Sequence, residues 1–172
     1  MFVSLIDNVA AYGDAEDDTL FNIENLTGSA QNDTLWGNNG VNVLRGMAGN
    51  DTLKGFGGAD SLTGDAGADL FVWGSASHTG VTAATADVIT DFNRGQGDHI
   101  DLSGIDANLV ASGNQAFTFI GTAAFSGAPG QLRYFQSGSN TFIEMQTGTW
   151  ADSEGMIRLN GLDTPDASWF VL

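Results

Sequence analysis

The sequence of 172 residues has no cysteine and few basic residues, and each absence excludes a class of function. Without cysteine there is no disulfide, no thiolate nucleophile, no zinc ribbon and no iron–sulfur cluster. Five Lys and Arg residues stand against 21 Asp and Glu residues, which gives a net charge of −16 at pH 7. Nucleic acids and anionic membrane surfaces are bound by clustered cations, so neither is predicted as a partner. The natural partners of so many carboxylates are cations, and calcium prefers oxygen ligands.

Long hydrophobic runs and catalytic motifs are also missing. No apolar run approaches the roughly 20 residues that a membrane span needs, so none is predicted. The N-terminal residues lack the basic region and long apolar stretch of a signal peptide, so export would need another route. Neither an HExxH zinc helix nor a GxSxG elbow occurs, and His78 and His99 each stand alone. We therefore predict no catalytic residues and no enzymatic activity in this chain.

Glycine, in contrast, is abundant, and much of it belongs to a nine-residue repeat. From Gly28 onward five consecutive nonapeptides have Gly at position one, Asp or Asn at position six, and Leu or Phe at position eight. The repeats read GSAQNDTLW (28–36), GNNGVNVLR (37–45), GMAGNDTLK (46–54), GFGGADSLT (55–63) and GDAGADLFV (64–72). Three columns kept in phase over 45 residues indicate a repeat architecture.

The repeat predicts a parallel β-roll. Glycine at position one, and often at position four, suits a tight turn or a close approach of the backbone. The last three residues of each repeat place one apolar side chain between two outward ones, which makes a minimal strand. Turn and strand form half a coil, so two repeats complete one coil and identical positions stack every 18 residues. Asp33 is then expected over Asp51, Asp51 over Asp69, and Asn42 over Asp60.

Stacked carboxylates one strand spacing apart repel each other, and the chain has too few cationic side chains to compensate them. Calcium ions between successive turns would remove this repulsion, with oxygens from the position-six side chains and from turn carbonyls. The alternative is a turn array in which each Asp only caps its own turn. Since Asn42 lacks a carboxylate, the Asn42/Asp60 site is predicted to be the weakest. The candidate side-chain ligands are Asp33, Asn42, Asp51, Asp60 and Asp69, and the candidate backbone ligands are Gly46, Ala48, Gly55, Gly57, Gly64 and Ala66.

These repeats resemble the calcium-binding RTX nonapeptide, G-G-x-G-x-D-x-U-x. Gln31 replaces the glycine of position four in the first repeat, and Asn42 replaces the aspartate in the second. Upstream, GDAEDDTLF (13–21) has the same columns, with Gly13, Asp18 and Leu20, but lies out of phase. We therefore predict a degenerate N-terminal cap over residues 1–27 and the calcium-binding roll over residues 28–72.

After residue 72 the period ends and alternating apolar runs predict strands near 116–120, 131–135, 141–145 and 156–159. Helical periodicity is absent from the sequence. The predicted fold is therefore all-β: a parallel β-roll whose end is covered by an antiparallel, sandwich-like β cap over residues 73–172.

A second resemblance lies in the segments GADLFVW, TADVITDF, DHIDLSGIDAN and GQLRYFQSGSNT. Together with the repeats they are similar to the C-terminal domain of serralysin-type secreted metalloproteases. The resemblance implies several calcium ions, a C-terminal signal for type I secretion, and an extracellular, secreted protein. It also implies that Asp87 is a ligand that closes the last site against Asp60.

The predicted function is therefore that of a non-catalytic, calcium-dependent folding and secretion domain, with the type I secretion machinery as a partner. Two alternatives remain at this stage. The chain could be a module that binds extracellular polysaccharide, as similar RTX modules of alginate epimerases do. It could also be the tail of a secreted zinc metalloprotease, fused to a catalytic domain that is not in this chain.

Overall fold

The computed structural model describes residues 1–12, 16, 18, 20–149 and 152–172. This part of the chain forms strands joined by turns, with two short 3-10 helices at Ala76–His78 and Ala167–Trp169. The strands are β1 (Phe2–Ser4), β2 (Val9–Ala11), β3 (Asn25–Thr27), β4 (Thr34–Trp36), β5 (Val43–Ala48), β6 (Thr52–Lys54), β7 (Ser61–Ala66), β8 (Leu70–Val72), β9 (Asp87–Ile89), β10 (His99–Asp101), β11 (Thr118–Phe119), β12 (Gln131–Ser137), β13 (Asn140–Gln146), β14 (Gly155–Asn160) and β15 (Phe170–Val171).

Successive repeats contribute their strands to two facing sheets in alternation. One described sheet has seven strands in the order β15-β10-β8-β6-β4-β1-β2, and the other has eight in the order β11-β12-β13-β14-β9-β7-β5-β3. Within the repeats all pairings are parallel, with Leu35 beside Leu53 in one sheet and Leu44 beside Leu62 in the other. Each of these pairs is 18 residues apart in the sequence, so two repeats form one coil. The predicted all-β fold with a parallel β-roll is confirmed.

The core of the roll is a ladder of position-eight side chains. Leu35, Leu44, Leu53, Leu62 and Phe71 are fully buried between the two sheets. Positions seven and nine point outward, because side chains alternate along a strand. Each strand of the repeats, whether three or six residues long, buries one large apolar side chain, so each repeat adds one apolar layer to the core.

The roll continues beyond the repeats. β9 pairs in parallel with β7, where Ile89 lies beside Leu62, and β10 pairs with β8, where Ile100 lies beside Phe71. β15 then adds to β10 and places Phe170 beside Ile100. The nine-residue period ends at Val72 because the connecting turns become longer, whereas the stacking of strands does not end there.

An antiparallel meander covers this end of the molecule. β12, β13 and β14 pair in antiparallel register, with Ile143 between Tyr134 and Ile157. β14 also pairs in parallel with β9, so the meander extends one sheet of the roll. At the opposite end β1 stacks in parallel on β4 and β2 pairs antiparallel with β1.

The predicted degenerate repeat at 13–21 includes Gly13 and other positions that lie outside the described residues. Across the described ranges, no helix has the length and apolar character needed to cross a membrane.

Candidate metal centre

The position-six side chains form two columns, one at each edge where the chain turns between the sheets. Along each column a backbone N–H donates to Oδ1 of the aspartate in the next coil. In the first column Asp33 donates to Asp51 at 2.8 Å, Asp51 to Asp69 at 2.9 Å, and Asp69 to Asp98 at 3.0 Å. In the second column Asn42 donates to Asp60 at 2.8 Å and Asp60 donates to Asp87 at 2.9 Å. The structure thus brings every predicted side-chain ligand into one of two stacked rows.

All seven side chains of these columns are buried, and three of them hold an oxygen without a partner. The relative exposure of Asp51, Asp60 and Asp69 is 1 to 2%. Oδ2 of each of these three residues accepts no hydrogen bond. A buried carboxylate oxygen without a donor is costly unless a proton or a cation compensates it. These three oxygens are the strongest sign of a cation site in the described part of the chain.

The pKa values of the columns reflect this burial. Desolvation raises the pKa of Asp60 and of Asp69 to about 6. Burial also raises the pKa of Asp87 to about 7, and it raises those of Asp51 and Asp98. For Asp33 burial alone would raise the pKa, but the N-terminal ammonium at 2.5 Å and the hydrogen bonds from Ser29 bring it below its usual value. Apart from Asp33, burial therefore makes the ionised form of each column aspartate less favourable than in water.

Glycine at position one is required because oxygens converge on it. A Cβ atom placed on Gly46 would overlap Oδ2 of Asp51 and would lie 2.9 Å from the carbonyl oxygen of Gly64 in the next coil. A Cβ atom on Gly37 would overlap Oδ1 of Asn42 and lie 2.7 Å from the carbonyl oxygen of Gly55. Side-chain and carbonyl oxygens of neighbouring coils thus meet at one face of each turn.

The chemistry of these oxygens fits a hard cation. Calcium takes six to eight oxygen ligands, and carbonyl and carboxylate oxygens both serve. In the described ranges no three acidic or histidine side chains converge on one point, so turn carbonyls would have to complete each site. Of the predicted carbonyl ligands, Gly46 and Ala48 lie in the last half of β5 and Gly64 and Ala66 in the last half of β7, where both strands lead into the first column, and Gly55 and Gly57 lie on a turn of the second. The carbonyl of Ala66 also accepts the N–H of Gly49 at 2.9 Å, which leaves it one lone pair.

The last residue of each column is held by the protein. Oδ2 of Asp87 accepts the indole N–H of the buried Trp73 at 2.7 Å, and Oδ2 of Asp98 accepts the N–H of Asn93 at 2.8 Å. Asp91 accepts the N–H groups of Gly64 and Asp65 at 3.1 and 2.7 Å and so supports the last repeat turn.

Asp98 is the member of the columns that sequence reasoning missed. It lies 29 residues after Asp69 and therefore outside the nine-residue phase. The available signal was the local pattern Asp98-His99-Ile100, an aspartate two residues before a buried apolar residue. Each repeat has this pattern at positions six and eight, and Asp87-Val88-Ile89 has it too.

Comparison with known proteins agrees with this geometry. The family model of the RTX calcium-binding nonapeptide repeat, in four copies, matches residues 22–53 and 36–71. Among solved structures, the AlgE6R3 subunit of the mannuronan C5-epimerase from Azotobacter vinelandii is 26% identical with a TM-score of 0.59, and the match covers 86% of this chain and 76% of that chain. The AlgE6R2 subunit of the same epimerase is 23% identical over 86% of this chain and 91% of that chain, and its TM-score of 0.38 supports no conclusion. No curated protein matches the sequence.

Proposed function

Since residues 22–71 carry RTX calcium-binding repeats in a β-roll, we propose that this chain is a non-catalytic domain whose folding depends on calcium and that accompanies type I secretion. The observation that carries the proposal is the set of three buried Oδ2 atoms, at Asp51, Asp60 and Asp69, that no protein group contacts as a donor. A bound calcium ion would supply the positive charge that compensates these buried carboxylate oxygens.

The proposed mechanism follows from the net charge of −16 and the stacked carboxylates. At the low calcium concentration inside a cell the carboxylates of each column repel one another and destabilise the folded state, so the chain remains unfolded for export. At the roughly millimolar calcium outside a cell, ions bind the folded state alone and stabilise it. The carboxylates of Asp51, Asp60 and Asp69, whose Oδ2 atoms accept no hydrogen bond, and the turn carbonyls named above would hold these ions.

Calorimetric titration of the chelator-treated chain with calcium tests the binding. We expect saturable binding of several calcium ions per chain, and much weaker binding of magnesium, which favours smaller sites that keep their water. The matched control is a chain with Asp51, Asp60 and Asp69 replaced by Asn. A parent chain that takes up no more calcium than this triple variant would contradict the proposal.

The C-terminal residues connect folding with export. Phe170 is buried and β15 pairs with β10, so in the folded state the terminal segment is part of a sheet. A secretion signal at this end would be free of the sheet only before the roll forms. Co-expression with a type I exporter tests this part: the full chain should reach the medium, and a chain that lacks residues 166–172 should stay in the cell. Equal export of both chains would contradict it.

A second candidate function is polysaccharide binding, and one surface feature favours it. The Lys54 ammonium lies 4.5 Å above the ring of Phe56 and 5.7 Å from that of Trp36, and Phe2 packs on Trp36 at 5.1 Å. No ion pair joins Lys54 to a carboxylate of the described residues. An aromatic row with an unpaired cation suits an acidic sugar, and the similar AlgE6R3 subunit belongs to a mannuronan epimerase.

Pull-down on immobilised polymannuronate, with calcium and with chelator, separates the two candidates. Under the second candidate the calcium-loaded chain binds and a Lys54→Ala variant loses most of that binding. Calcium-dependent folding without retention on the polymer leaves only the first candidate. Arg45→Ala is the control, because Arg45 is already paired with Asp65 at 2.5 Å.

A further inference from the structure

The five repeat turns adopt two different backbone conformations. In the third, fourth and fifth repeats position two is left-handed, with φ of 84° at Met47, 68° at Phe56 and 65° at Asp65. The position-four glycines of the same repeats also have positive φ: Gly49, Gly58 and Gly67. The first and second repeats have positive φ at neither position. A left-handed Met or Phe is strained, and such strain is often found at functional sites.

The hydrogen bonds of the position-six side chains divide the turns in the same way. In the first repeat Oδ2 of Asp33 accepts the N–H of Ser29 at 2.5 Å and its hydroxyl at 2.9 Å. In the second repeat Oδ1 of Asn42 accepts the N–H of Asn38 at 2.7 Å. In the other three repeats the position-two N–H makes no such bond, and the corresponding Oδ2 is the buried oxygen without a partner. The left-handed residue and the free oxygen thus occur together.

The second repeat also supplies its own donor at the outer end of its column. Nδ2 of Asn42 donates to the carbonyl oxygen of Glu24 at 2.9 Å. An aspartate at this position would place a carboxylate oxygen against that carbonyl, and a cation would be needed between them. The amide removes this need, because it is neutral and donates where a carboxylate only accepts.

We propose that the array contains three open turns, which require calcium, and two closed turns, which do not. The open turns are 46–51, 55–60 and 64–69, and the closed turns are 28–33 and 37–42. The closed coil forms a preassembled end on which the open turns stack, and Trp73 and Asn93 close the other ends of the columns. This inference rests on the proposed calcium function and adds to it which turns the ions occupy.

The number of bound ions in single variants tests the division. Calcium per chain is measured by equilibrium dialysis for Asp69→Asn, Asp60→Asn and Asp33→Asn, since each exchange keeps the shape of the side chain. We expect Asp69→Asn and Asp60→Asn each to lose at least one ion, and Asp33→Asn to keep the number of the parent chain. Loss of an ion in Asp33→Asn equal to that in Asp69→Asn would overturn the division. A parent chain without bound calcium would instead contradict the proposed function.

A matched pair at position two provides a second test that does not depend on removing a carboxylate. Met47→Gly removes the strain of an open turn, since glycine adopts positive φ readily. Ser29→Gly makes the same replacement in a closed turn, where no such strain exists. We expect Met47→Gly to lower the calcium midpoint of folding by about threefold and Ser29→Gly to leave it unchanged or raise it. Equal shifts in the two variants would contradict the division into open and closed turns.

Discussion

At the scale of single residues, each internal aspartate of a column has two separate tasks. Oδ1 of Asp51 accepts the N–H of Asp33 at 2.8 Å and so holds two coils in register. Oδ2 of the same residue is buried without a donor and is available to a cation. Replacement by Asn keeps a carbonyl oxygen for the first task and weakens the second, whereas replacement by Ala removes both.

The position of a residue in its column determines how much its loss costs. Asp51 lies between Asp33 and Asp69, whereas Asn42 has one column neighbour, Asp60, and no charge. We expect Asp51→Ala to raise the calcium midpoint of folding by roughly tenfold or more, because the charge of the ligand set controls affinity. Asn42→Ala should raise it less. Titration of both variants, followed by far-UV circular dichroism, gives the two midpoints; equal shifts would contradict the stacking of carboxylates as the cause.

The hydrogen bond between Trp73 and Asp87 gives a second prediction for a single residue. Trp73→Phe keeps a buried ring but removes the N–H that Oδ2 of Asp87 accepts at 2.7 Å. Hydrogen bonds to charged groups contribute about 1.5–3 kcal/mol, so a loss of this size is expected in urea denaturation at saturating calcium. Trp36→Phe, at a half-buried site on the outer face of the sheet, is the control and should cost clearly less. A loss below that of the control would show that the bond does not stabilise the end of the column.

Much of the site could be predicted at this scale, and the limits have a physical reason. The phase of the repeats identifies Asp33, Asp51 and Asp69 as neighbours, and the structure stacks them. Asp98 lies in the same column but follows a longer connection. The nine-residue spacing cannot identify a residue that follows a connection of another length. The proposed closed turns could not be predicted either, because the nonapeptide pattern does not show whether the N–H of position two donates to the position-six side chain.

At the scale of elements, the coil of two repeats is the unit that stabilises the fold. Each coil adds one strand to each sheet, of three residues in one sheet and six in the other, and the inward leucines of these strands extend the buried ladder. Such short strands make few hydrogen bonds of their own, so parallel stacking on both neighbours and burial of the ladder must hold them.

The ladder gives a prediction for an element. Leu53 is fully buried between Leu35 and Phe71. Leu53→Ala should lower the free energy of unfolding of the calcium-bound state by about 2–5 kcal/mol, as large-to-small changes in cores do. Thr52→Ala, one residue earlier on the outer face of the same strand, is the matched control and should cost less than about 1 kcal/mol. Urea denaturation at saturating calcium measures both. Similar losses in the two variants would mean that the ladder is not the core of the roll.

For residues 73–172, the positions of the strands could be predicted from the sequence better than the pairing of each strand with its neighbours. Alternating apolar residues indicated strands near 131–135, 141–145 and 156–159, and the structure has β12, β13 and β14 there. Alternation shows which face of a strand is buried but not which strand lies beside it. The parallel pairings of β14 with β9 and of β15 with β10 join segments about 70 residues apart and have no local signal.

At the scale of the whole molecule, the excess of negative charge acts against folding unless cations are bound. The columns bury several carboxyl groups, and the pKa values of Asp60 and Asp69 are raised to about 6 and that of Asp87 to about 7, chiefly by burial. A carboxyl group whose pKa is higher in the folded state destabilises that state once it ionises. The loss begins near the unfolded value of 3.8 and is complete above about pH 7.

This linkage predicts opposite effects of pH with and without calcium. In chelator the folded fraction should rise as pH falls from about 8 to about 5, because the buried carboxyl groups take up protons. In the presence of calcium the midpoint of folding should rise over the same range, because protons compete with the ion for the same oxygens. Far-UV circular dichroism at several pH values measures both trends. A calcium midpoint that does not change with pH would exclude buried carboxylates as the ligands.

The most direct test of calcium-dependent folding is a calcium titration of the chelator-treated chain followed by far-UV circular dichroism. The spectrum in chelator should be that of a largely unfolded chain, and a cooperative change to a β-rich spectrum should be complete at roughly millimolar calcium. Sodium chloride at the same ionic strength is the control, because it screens the net charge without filling the sites. A β-rich spectrum in excess chelator, unchanged by calcium, would contradict the dependence of this fold on bound calcium.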